Sequence, residues 1–445
     1  MKKVLILGAG MVVNPIVRYL LDKNFIVTVA TRTKSKADDM IGGHPNGRSV
    51  AWTVDKEDEL DQMIAEHDLT VSLLPFLYHV MVAKKCIRLK KNMVTTSYVK
   101  PEMLALDAEA KAAGIIILNE LGLDPGIDHM SAMRIIDHVH AKGGKVEEFY
   151  SFCGALVAPE VEENPFHYKF TWAPKGVVMA GNNDGNFMKH GEVKYIPTEN
   201  LFRDPLKVDF PEVGTLDVYP NRDSIPYVEL YGIPEAKTIM RGTFRYEGWC
   251  EIIDAMKSLN LLSYDKFNME DMTYAGLMAK QIGETSSENI RVKVTEKLGM
   301  SVNSLTMKAL EWTGLFSDEL MNRIEDSSFE VVSDLMISKM MIKPDERDMV
   351  VMQHTFLASY PDGKQEVIKS KMLDFGSQKT DTSIARTVAL PAACGVQMIL
   401  EGKITEKGVH IPVVPDIYNP ILDQLETMNI RMVEEYGLPV NERIR

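Results

Sequence analysis

Short apolar runs alternate with segments of helical period over roughly the first 125 residues of the chain. The runs predict strands at Val4–Leu7, Phe25–Ala30, Val50–Val54, Leu69–Leu74, Met93–Ser97 and Ile115–Leu118. After the first run, apolar residues recur at helical spacing, at Val12, Val13, Ile16, Val17, Leu20 and Leu21. Continuous apolar strands that alternate with helices are typical of a parallel, doubly wound sheet. The pattern therefore predicts an N-terminal α/β domain.

The pattern changes after about residue 145, where long polar connections containing Pro and Gly separate the apolar runs. Strands are predicted there at Val146–Cys153, Lys169–Trp172, Lys207–Val218 and Met240–Tyr246. Residues 350–359 and 365–375 predict a hairpin, because Asp362-Gly363 between them is a strong turn signal. These segments predict a second domain of mixed α/β type.

Helical patterns dominate two further parts of the chain. Residues 250–345 are rich in Met, Leu, Lys and Glu at helical spacing, which predicts a small helical insert. Residues 381–401 predict a long helix that is interrupted at Pro391, and Ile417–Tyr436 predicts another amphipathic helix.

Length and charge narrow the class of protein. At 445 residues the chain exceeds the size at which one hydrophobic core keeps growing, so two or three domains are expected. The net charge of −13 argues against nucleic acid or an acidic membrane surface as partners, since both bind basic proteins. An arginine that holds an anionic ligand in this chain must therefore act locally.

The four cysteines indicate a reducing compartment. Cys86, Cys153, Cys250 and Cys394 lie far apart and form no CxxC pair, so we expect neither a disulfide framework nor a metal site. Val4–Leu7 is already a core strand, which argues against a signal peptide. Charges interrupt the apolar stretches before a membrane-spanning length of roughly 18 residues. We expect a cytoplasmic protein without a membrane segment.

The turn after the first strand has the composition of a dinucleotide-binding loop. Gly8 permits a tight turn, and Gly10 lets a pyrophosphate approach the helix N-terminus, where free N–H groups and the helix dipole favour anions. Val13 stands at the third glycine position of GxGxxG, so the helix is expected to lie slightly farther from the strand. The sequence predicts a Rossmann domain that contacts a dinucleotide through Gly8, Gly10, Met11, Val12 and Val13.

The end of the second strand favours the phosphorylated cofactor. An acidic residue there would bind the ribose 2′-hydroxyl of NAD, whereas NADP needs a cation. No acid occurs between Ala30 and Asp38, and Arg32 follows Gly10 by 22 residues, near the expected spacing. A guanidinium can hold phosphate through paired hydrogen bonds. We expect NADP(H) with Arg32 at its 2′-phosphate, and the alternative is a solvated surface arginine.

Longer motifs begin near residue 70, where the predicted strands end. They are Ser72-Leu73-Leu74-Pro75-Phe76, Val94-Thr95-Thr96-Ser97-Tyr98 and Asn119-Glu120-Leu121-Gly122-Leu123-Asp124-Pro125-Gly126-Ile127-Asp128-His129. The last of them resembles the saccharopine dehydrogenase family of the NADP-dependent, glutamate-forming type, also called saccharopine reductase. The resemblance continues through residues 150–154, 159–160, 164–165, 168–172, 219–224, 233–236 and 241–246, and is weakest over 250–345.

The resemblance implies a chain of three domains. A Rossmann domain at residues 1–128 is completed by C-terminal helices at about 381–445. Residues 129–249 and 346–380 form a mixed α/β domain for substrate binding and dimerisation, with the helical insert at 250–345. The resemblance also implies a homodimeric oxidoreductase of lysine metabolism. It reversibly reduces the imine of glutamate and 2-aminoadipate 6-semialdehyde to saccharopine.

Site residues are implied in the same way. Besides the loop and Arg32, cofactor contacts are implied at Thr33, Val54, Asp55, Leu74, Pro75, Thr95, Thr96, Leu123, Asp124 and Pro125. Substrate contacts are implied at Ser97, Tyr98, Asp124, Trp172, Arg222, Thr243, Phe244 and Arg245, and catalytic positions at Asp124, Tyr98 and Cys153. The chain departs from the family at Pro174-Lys175-Gly176, where members have small hydroxyl residues and Arg.

Chemistry refines these roles. Saccharopine carries three carboxylates and two amines, so Arg222 and Arg245 suit carboxylate clamps and Asp124 suits a substrate ammonium. Asp-Pro-Gly is also ordinary turn chemistry, so Asp124 could instead be a turn residue. Neither Tyr98 nor Cys153 has an ordinary pKa near neutrality, and imine reduction needs no nucleophile. Both are therefore expected to bind or orient the substrate.

Three other polar residues have alternative roles. Arg241 could bind substrate or could pair with Glu235 or Glu247. Asp128 is expected to cap the following helix, and His129 is expected to be structural rather than a proton shuttle.

Two other functions fit a dinucleotide-binding fold. A carboxynorspermidine dehydrogenase-like enzyme would reduce an imine of aspartate semialdehyde and a polyamine precursor, with less need for Arg222 and Arg245. A non-catalytic NADP-binding sensor would bind the cofactor without turnover, and it gives no reason for Tyr98, Asp124 and Arg245 to occur together.

Overall fold

The computed structural model describes residues 1–161, 164–378 and 381–444. By spatial contact the chain divides into two compact units. The first unit comprises Met1–Val146, Glu229–Ile233 and Leu357–Asn441, and the second comprises Glu147–Val228, Pro234–Phe356 and Glu442–Arg445. The predicted boundaries of three domains stay a prediction.

Strands and helices alternate in the N-terminal part of the first unit. In chain order they are β1 (Lys3–Leu7), α1 (Asn14–Asp22), β2 (Ile26–Thr31), α2 (Lys34–Ile41), β3 (Gly47–Ala51), α3 (Glu57–Glu66), β4 (Leu69–Ser72), α4 (His79–Leu89), β5 (Asn92–Val94), α5 (Pro101–Leu104), α6 (Asp107–Ala113), β6 (Ile116–Leu118) and α7 (Ile127–Ala141). A short 3₁₀ turn at Phe76–Tyr78 precedes α4.

The middle of the chain forms strands first and then mainly helices. The elements are β7 (Lys145–Val157), α8 (Pro174–Ala180), β8 (Gly185–Lys189), β9 (Glu192–Ile196), β10 (Leu206–Phe210), β11 (Gly214–Pro220), α9 (Tyr227–Leu230), β12 (Thr238–Tyr246), α10 (Trp249–Ser258), β13 (Lys266–Asn268), α11 (Tyr274–Ile282), α12 (Ile290–Leu298), α13 (Leu305–Thr313), β14 (Glu325–Ser327) and α14 (Ser328–Met340). The C-terminal elements are β15 (Asp348–Ser359), β16 (Gln365–Phe375), α15 (Ser383–Leu400), β17 (Gly408–His410), α16 (Pro415–Glu426) and β18 (Val433–Leu438).

A seven-stranded sheet in the order β17-β6-β5-β4-β1-β2-β3 forms the core of the first unit. Every strand pair in it is parallel. Val4–Leu7 in β1 are fully buried, as expected for a strand that helices cover on both faces. The predicted parallel, doubly wound N-terminal sheet is confirmed.

The helix α15 packs against α1 and against strands β4 and β5 of this sheet. It is long and apolar enough to cross a membrane by length and composition, with a mean hydropathy of 1.4, but 78% of it is buried inside the protein. That burial is typical of a core helix. The helix also continues through Pro391 instead of being interrupted there as predicted.

The second unit contains most strands of a mixed sheet, in which β10, β11, β12, β7 and β15 follow one another. The pairs β10–β11 and β11–β12 are antiparallel, β12–β7 is parallel, and β8 extends from β12 with β9 at its edge. The predicted mixed α/β character is therefore confirmed. Helices α10–α14 and the short β13–β14 pair occupy much of the region that the sequence predicts to be helical.

Several predicted elements differ from the observed ones. Residues 207–218 form two antiparallel strands because the chain turns at Val213, whose N–H donates to the Phe210 carbonyl. Lys169–Trp172 makes only an isolated bridge at Phe170 and is not a strand. The predicted helix Ile417–Tyr436 ends after Glu426, and residues 433–438 form β18, an exposed strand that pairs with β16. Its exposure hides the alternation that identifies a half-buried strand.

Candidate functional site

The loop Gly8–Val13, between β1 and α1, has the backbone that a phosphate-binding turn needs. Gly8 has a φ of 111°, and a Cβ atom there would lie 2.8 Å from the Leu73 carbonyl oxygen, so only glycine fits without strain. A Cβ atom at Gly10 would meet no atom within 4 Å in the described part of the chain. The N–H groups of Met11 and Val12 donate to no described residue. Val13 is buried at the N-cap of α1. The loop thus offers unpaired N–H groups and open space beside Gly10.

Arg32 lies at the carboxyl end of β2 and is exposed. Its guanidinium makes no hydrogen bond or ion pair with the described part of the chain. The nearby Lys34, in contrast, is bound to Asp38 with 2.8 Å between Nζ and Oδ1. Hydrogen bonds from Lys34 and Ser49 lower the pKa of Asp38, so this acid stays charged and bound to those two residues. Arg32 is therefore a free cation where the 2′-phosphate of NADP would lie.

The other implied cofactor residues follow strands of the same parallel sheet. Val54 and Asp55 lie beyond β3, Leu74 and Pro75 beyond β4, Thr95 and Thr96 beyond β5, and Leu123, Asp124 and Pro125 beyond β6, while Thr33 is the N-cap of α2. The strands are parallel, so all these segments share the carboxyl edge of the sheet with Gly8–Val13. Together with the free Arg32, this arrangement fits NADP(H).

Asp124 and Tyr98 form a pair at that edge. The Tyr98 hydroxyl donates to Asp124 Oδ1 at 2.7 Å, and both side chains are half-buried. A cis peptide bond joins Asp124 to Pro125, and Gly126 has a φ of 147°. A Cβ atom at Gly126 would collide with the backbone of Gly122, so the turn depends on this glycine. Asp124 is thus both a turn residue and the carboxylate that holds Tyr98.

A buried cluster anchors this turn to the segment that carries Tyr98. Glu120 Oε1 accepts from the Val99 N–H at 2.8 Å, and Glu120 Oε2 lies 2.7 Å from His129 Nε2. The other nitrogen of His129 contacts the Tyr231 hydroxyl at 2.6 Å. His129 is fully buried, which fits the predicted structural role. Asp128 accepts from the N–H of Gly126, the N-cap residue of α7, at 2.6 Å.

A second cluster at the sheet edge joins the ends of β4 and β5. The imidazole of His79 contacts Ser72 Oγ through Nδ1 at 2.8 Å and Ser97 Oγ through Nε2 at 2.8 Å. Thr95 Oγ1 lies 3.3 Å from the same Nε2. Burial lowers the pKa of His79 to about 4, so the ring is neutral at physiological pH. Sequence reasoning missed His79, Ser72, Glu120 and Tyr231, because their pairings depend on strand order.

Cys153, Thr243 and Phe244 lie on neighbouring strands of the second unit. Cys153 in β7 is the register partner of Thr243 in β12, and Cys153 is buried. The ring of Phe244 is fully buried and packs against Phe152, with the centroids 5.6 Å apart. The structure therefore places Cys153 beside Thr243 and places the Phe244 side chain in the core.

Arg245 occupies an aromatic box in the core of the same unit. Its guanidinium carbon lies 5.0 Å from the ring centroid of Tyr168, 5.3 Å from Trp249 and 5.8 Å from Tyr219. Arg245 is 4% exposed, its Nη1 donates to the Phe244 carbonyl, and its Nε has no hydrogen-bond partner. No carboxylate in the described residues pairs with it. An arginine stays charged even when buried, so this site calls for an anion.

The remaining implied substrate residues also belong to the second unit. Arg222 is exposed in the turn after β11 with a φ of 61°, and Trp172 is half-buried against the aromatic core. The guanidinium of Arg241 lies 4.3 Å from the ring centroid of Tyr227, and Glu247 pairs with Lys207 at 2.8 Å. The departure at Pro174-Lys175-Gly176 begins α8. All implied cofactor residues, Arg32 included, thus lie in the first unit, whereas Arg222, Arg241 and Arg245 lie in the second.

Comparison with known proteins gives similarity over nearly the whole chain. Residues 4–118 match the family profile described as saccharopine dehydrogenase NADP binding domain, and residues 122–430 match saccharopine dehydrogenase C-terminal domain. The chain is 36% identical to saccharopine dehydrogenase [NADP(+), L-glutamate-forming] of Pyricularia oryzae, over 100% of this chain and 99% of that protein.

A second relative is longer, and a solved structure has the same fold. The chain is 37% identical to the mitochondrial alpha-aminoadipic semialdehyde synthase of Bos taurus, over 96% of this chain but only 47% of that protein. The structure of apo saccharopine dehydrogenase (L-Glu forming) from Saccharomyces cerevisiae is similar with a TM-score of 0.90 and 34% identity. It covers 98% of this chain and 100% of that one.

Proposed function

The chain belongs to the saccharopine dehydrogenase family, and from that premise we propose that it is the NADP-dependent, L-glutamate-forming enzyme. In the reaction, saccharopine, NADP⁺ and water give glutamate, 2-aminoadipate 6-semialdehyde, NADPH and a proton, and the direction is reversible. The observation that carries the proposal is the 36% identity to an enzyme of that name over the full length of both chains.

The cofactor residues support NADP(H). NADP(H), when bound, supplies the oxidation–reduction chemistry at the substrate carbon, and the protein aligns the two molecules. The N–H groups of Met11 and Val12 would hold the pyrophosphate beside Gly10, and Arg32 would hold the 2′-phosphate. The end of β2 carries no acidic residue, so no carboxylate there would repel that phosphate.

The substrate residues divide by charge in this proposal. Arg245, buried without an anion among the described residues, would bind one substrate carboxylate, and Arg222 would bind another. Asp124 would pair with the substrate ammonium, and Tyr98, held by Asp124 at 2.7 Å, would orient the same group. Cys153 beside Thr243 would line the site without acting as a nucleophile.

A two-substrate assay tests the proposal against its nearest rival. The purified protein is incubated with saccharopine and NADP⁺, and separately with carboxynorspermidine and NADP⁺, while the absorbance of reduced nicotinamide is followed. We expect turnover with saccharopine only. Turnover with carboxynorspermidine alone would indicate the polyamine enzyme, and tight NADP(H) binding without turnover of either compound would indicate the sensor.

We further propose a homodimer that acts in the cytoplasm in lysine biosynthesis. The dimer is suggested by family resemblance, and the compartment by four buried cysteines that form no disulfide bond. Light scattering after size exclusion tests the dimer, and fractionation of cells tests the location. Loss of lysine-independent growth after disruption of the gene would support synthesis, whereas growth defects only on lysine would support degradation.

A further inference from the structure

We propose that His79 is a positioning residue that fixes the Ser97 hydroxyl as a substrate contact. This inference rests on the proposed function, because Ser97 is a substrate contact only if the chain binds saccharopine. His79 begins α4, Ser72 ends β4, and Ser97 follows β5, so one imidazole joins three segments of the sheet edge. His79 is not among the site residues that the family resemblance implies.

The exposure of the cluster members shows which of them a ligand can reach. Ser72 is fully buried, Thr95 is 1% exposed and His79 is 4% exposed. Ser97 is only half-buried. Its Oγ makes a single hydrogen bond in the described chain, to His79 Nε2. Ser97 can therefore form a further hydrogen bond to a ligand. The buried residues Ser72, Thr95 and His79 cannot reach a ligand and only hold Ser97 in place.

The protonation of the imidazole decides what Ser97 can offer. A neutral ring has one N–H and one acceptor nitrogen, so it donates to one side and accepts on the other. When Ser72 donates to Nδ1, the Nε2–H donates to Ser97, and the Ser97 hydrogen is then released to a ligand oxygen. In the other tautomer Ser97 donates to Nε2 and offers the ligand only lone pairs.

Hydroxyl groups contact both nitrogens of the ring, so the contacts are compatible with either tautomer. With hydrogen on Nε2, the buried Thr95 hydroxyl hydrogen lacks an acceptor in the described chain, and with hydrogen on Nδ1 the Ser72 hydroxyl hydrogen lacks one. With hydrogen on Nδ1, Ser97 and Thr95 also compete for the one lone pair of Nε2, so that state satisfies fewer of the hydroxyl donors. A substrate carboxylate at Ser97 favours the Nε2–H tautomer, because in that state Ser97 can donate to the carboxylate and still accept from His79.

The two sides of the ring can be tested separately. In His79→Gln the side-chain amide can occupy the place of Nε2 and still donate to Ser97, whereas in His79→Asn it can occupy the place of Nδ1 and reaches only Ser72. We expect kcat/KM for saccharopine to fall on the order of tenfold in His79→Asn and to recover largely in His79→Gln. The KM for NADP⁺ should change less than the KM for saccharopine in both.

A double-mutant cycle shows whether His79 acts through Ser97. We expect Ser97→Ala and His79→Asn to have similar effects on kcat/KM, and the double variant to be no worse than Ser97→Ala alone. Imidazole ¹⁵N chemical shifts of the wild type should move toward the Nε2–H tautomer on addition of saccharopine. Equal kcat/KM in the Gln and Asn variants, or additive effects in the cycle, would overturn the role of His79.

His67 provides a matched control. It is also a buried histidine of the first unit, with Nδ1 on the Met63 carbonyl and Nε2 on Thr28 Oγ1. It lies two residues before β4, at the amino edge of the sheet and away from the ligand edge. His67→Gln should lower the melting temperature without lowering kcat/KM. If the wild type does not turn over saccharopine, both the proposed function and the role of His79 are overturned. If the wild type is active, the His79 variants test the role of His79 alone.

Discussion

At the scale of single residues, the sharpest cofactor prediction concerns Arg32. Its guanidinium is exposed and has no partner in the described chain, whereas Lys34 two residues on is bound to Asp38. Arg32→Ala should raise the KM for NADPH roughly 10- to 100-fold, as expected for losing charge-assisted hydrogen bonds of about 1.5–3 kcal/mol. The KM for NADH should change little, because NADH lacks the 2′-phosphate.

Lys34→Ala is the control for Arg32, because it removes a neighbouring cation that is already engaged. Initial rates with each cofactor at saturating amounts of the other substrates measure both constants. Equal losses with NADPH and NADH, or equal losses in the two variants, would remove Arg32 from the phosphate site.

A variant of Arg245 shows whether this buried cation binds a ligand or stabilises the fold. A buried charge without a counter-ion destabilises a fold, so its removal should leave stability unchanged or higher. Arg245→Met should nevertheless lower kcat/KM for saccharopine by about 2–5 kcal/mol of transition-state binding, if a carboxylate occupies the site. Kinetics and urea unfolding of the same preparation give both quantities.

Lys169 is the contrasting buried cation for that experiment. It pairs closely with Glu346, and both side chains are under a tenth exposed, at 8% and 9%. Lys169→Met should therefore lower the free energy of unfolding, since it leaves a carboxylate buried without its partner. If Arg245→Met instead lost stability and kept its activity, Arg245 would be a structural cation and the carboxylate clamp would be wrong.

At the scale of elements, the two glycines of the β1–α1 turn make different predictions. Gly10→Ala should fold with an unchanged melting temperature, because its Cβ atom would meet no described residue within 4 Å. The same methyl group would occupy the space of the pyrophosphate, so the Kd for NADPH should rise on the order of tenfold, about 1.4 kcal/mol. Calorimetric titration with NADPH measures the Kd.

Gly8→Ala is the counterpart, because its Cβ atom would lie 2.8 Å from the Leu73 carbonyl oxygen at a φ of 111°. It should lower the melting temperature as well as the affinity. Unchanged NADPH binding in Gly10→Ala would place the pyrophosphate elsewhere.

What the sequence could predict at this scale was local along the chain. The turn at Gly8 and Gly10 and the free cation at Arg32 follow from spacing after a strand, and the structure places both at the sheet edge. The pairs His79–Ser97 and Glu120–His129 could not be predicted, because they depend on which strands are neighbours. The aromatic box of Arg245 likewise brings together residues from separate segments, and an exposed edge strand such as β18 lacks the expected alternation.

At the scale of the whole molecule, acid should reduce stability through buried neutral histidines. Burial lowers the pKa of His79 from 6.5 to about 4, and it also lowers the pKa of His67. Between pH 6.5 and about pH 4, His79 binds a proton in the unfolded chain but not in the folded chain. The stability that neutral His79 contributes is therefore complete above pH 6.5 and is lost as the pH falls toward 4.

The comparison of wild type with His79→Gln isolates this effect from every other titrating group. Between pH 7 and pH 5 the wild type should lose about 2 kcal/mol more free energy of unfolding than the variant, which has no imidazole to protonate at this position. Urea unfolding followed by circular dichroism at the two pH values measures the difference. The same pH dependence in the two proteins would mean that His79 titrates in the folded protein as it does in the unfolded chain. The claim that a neutral imidazole joins Ser72 to Ser97 would then be wrong.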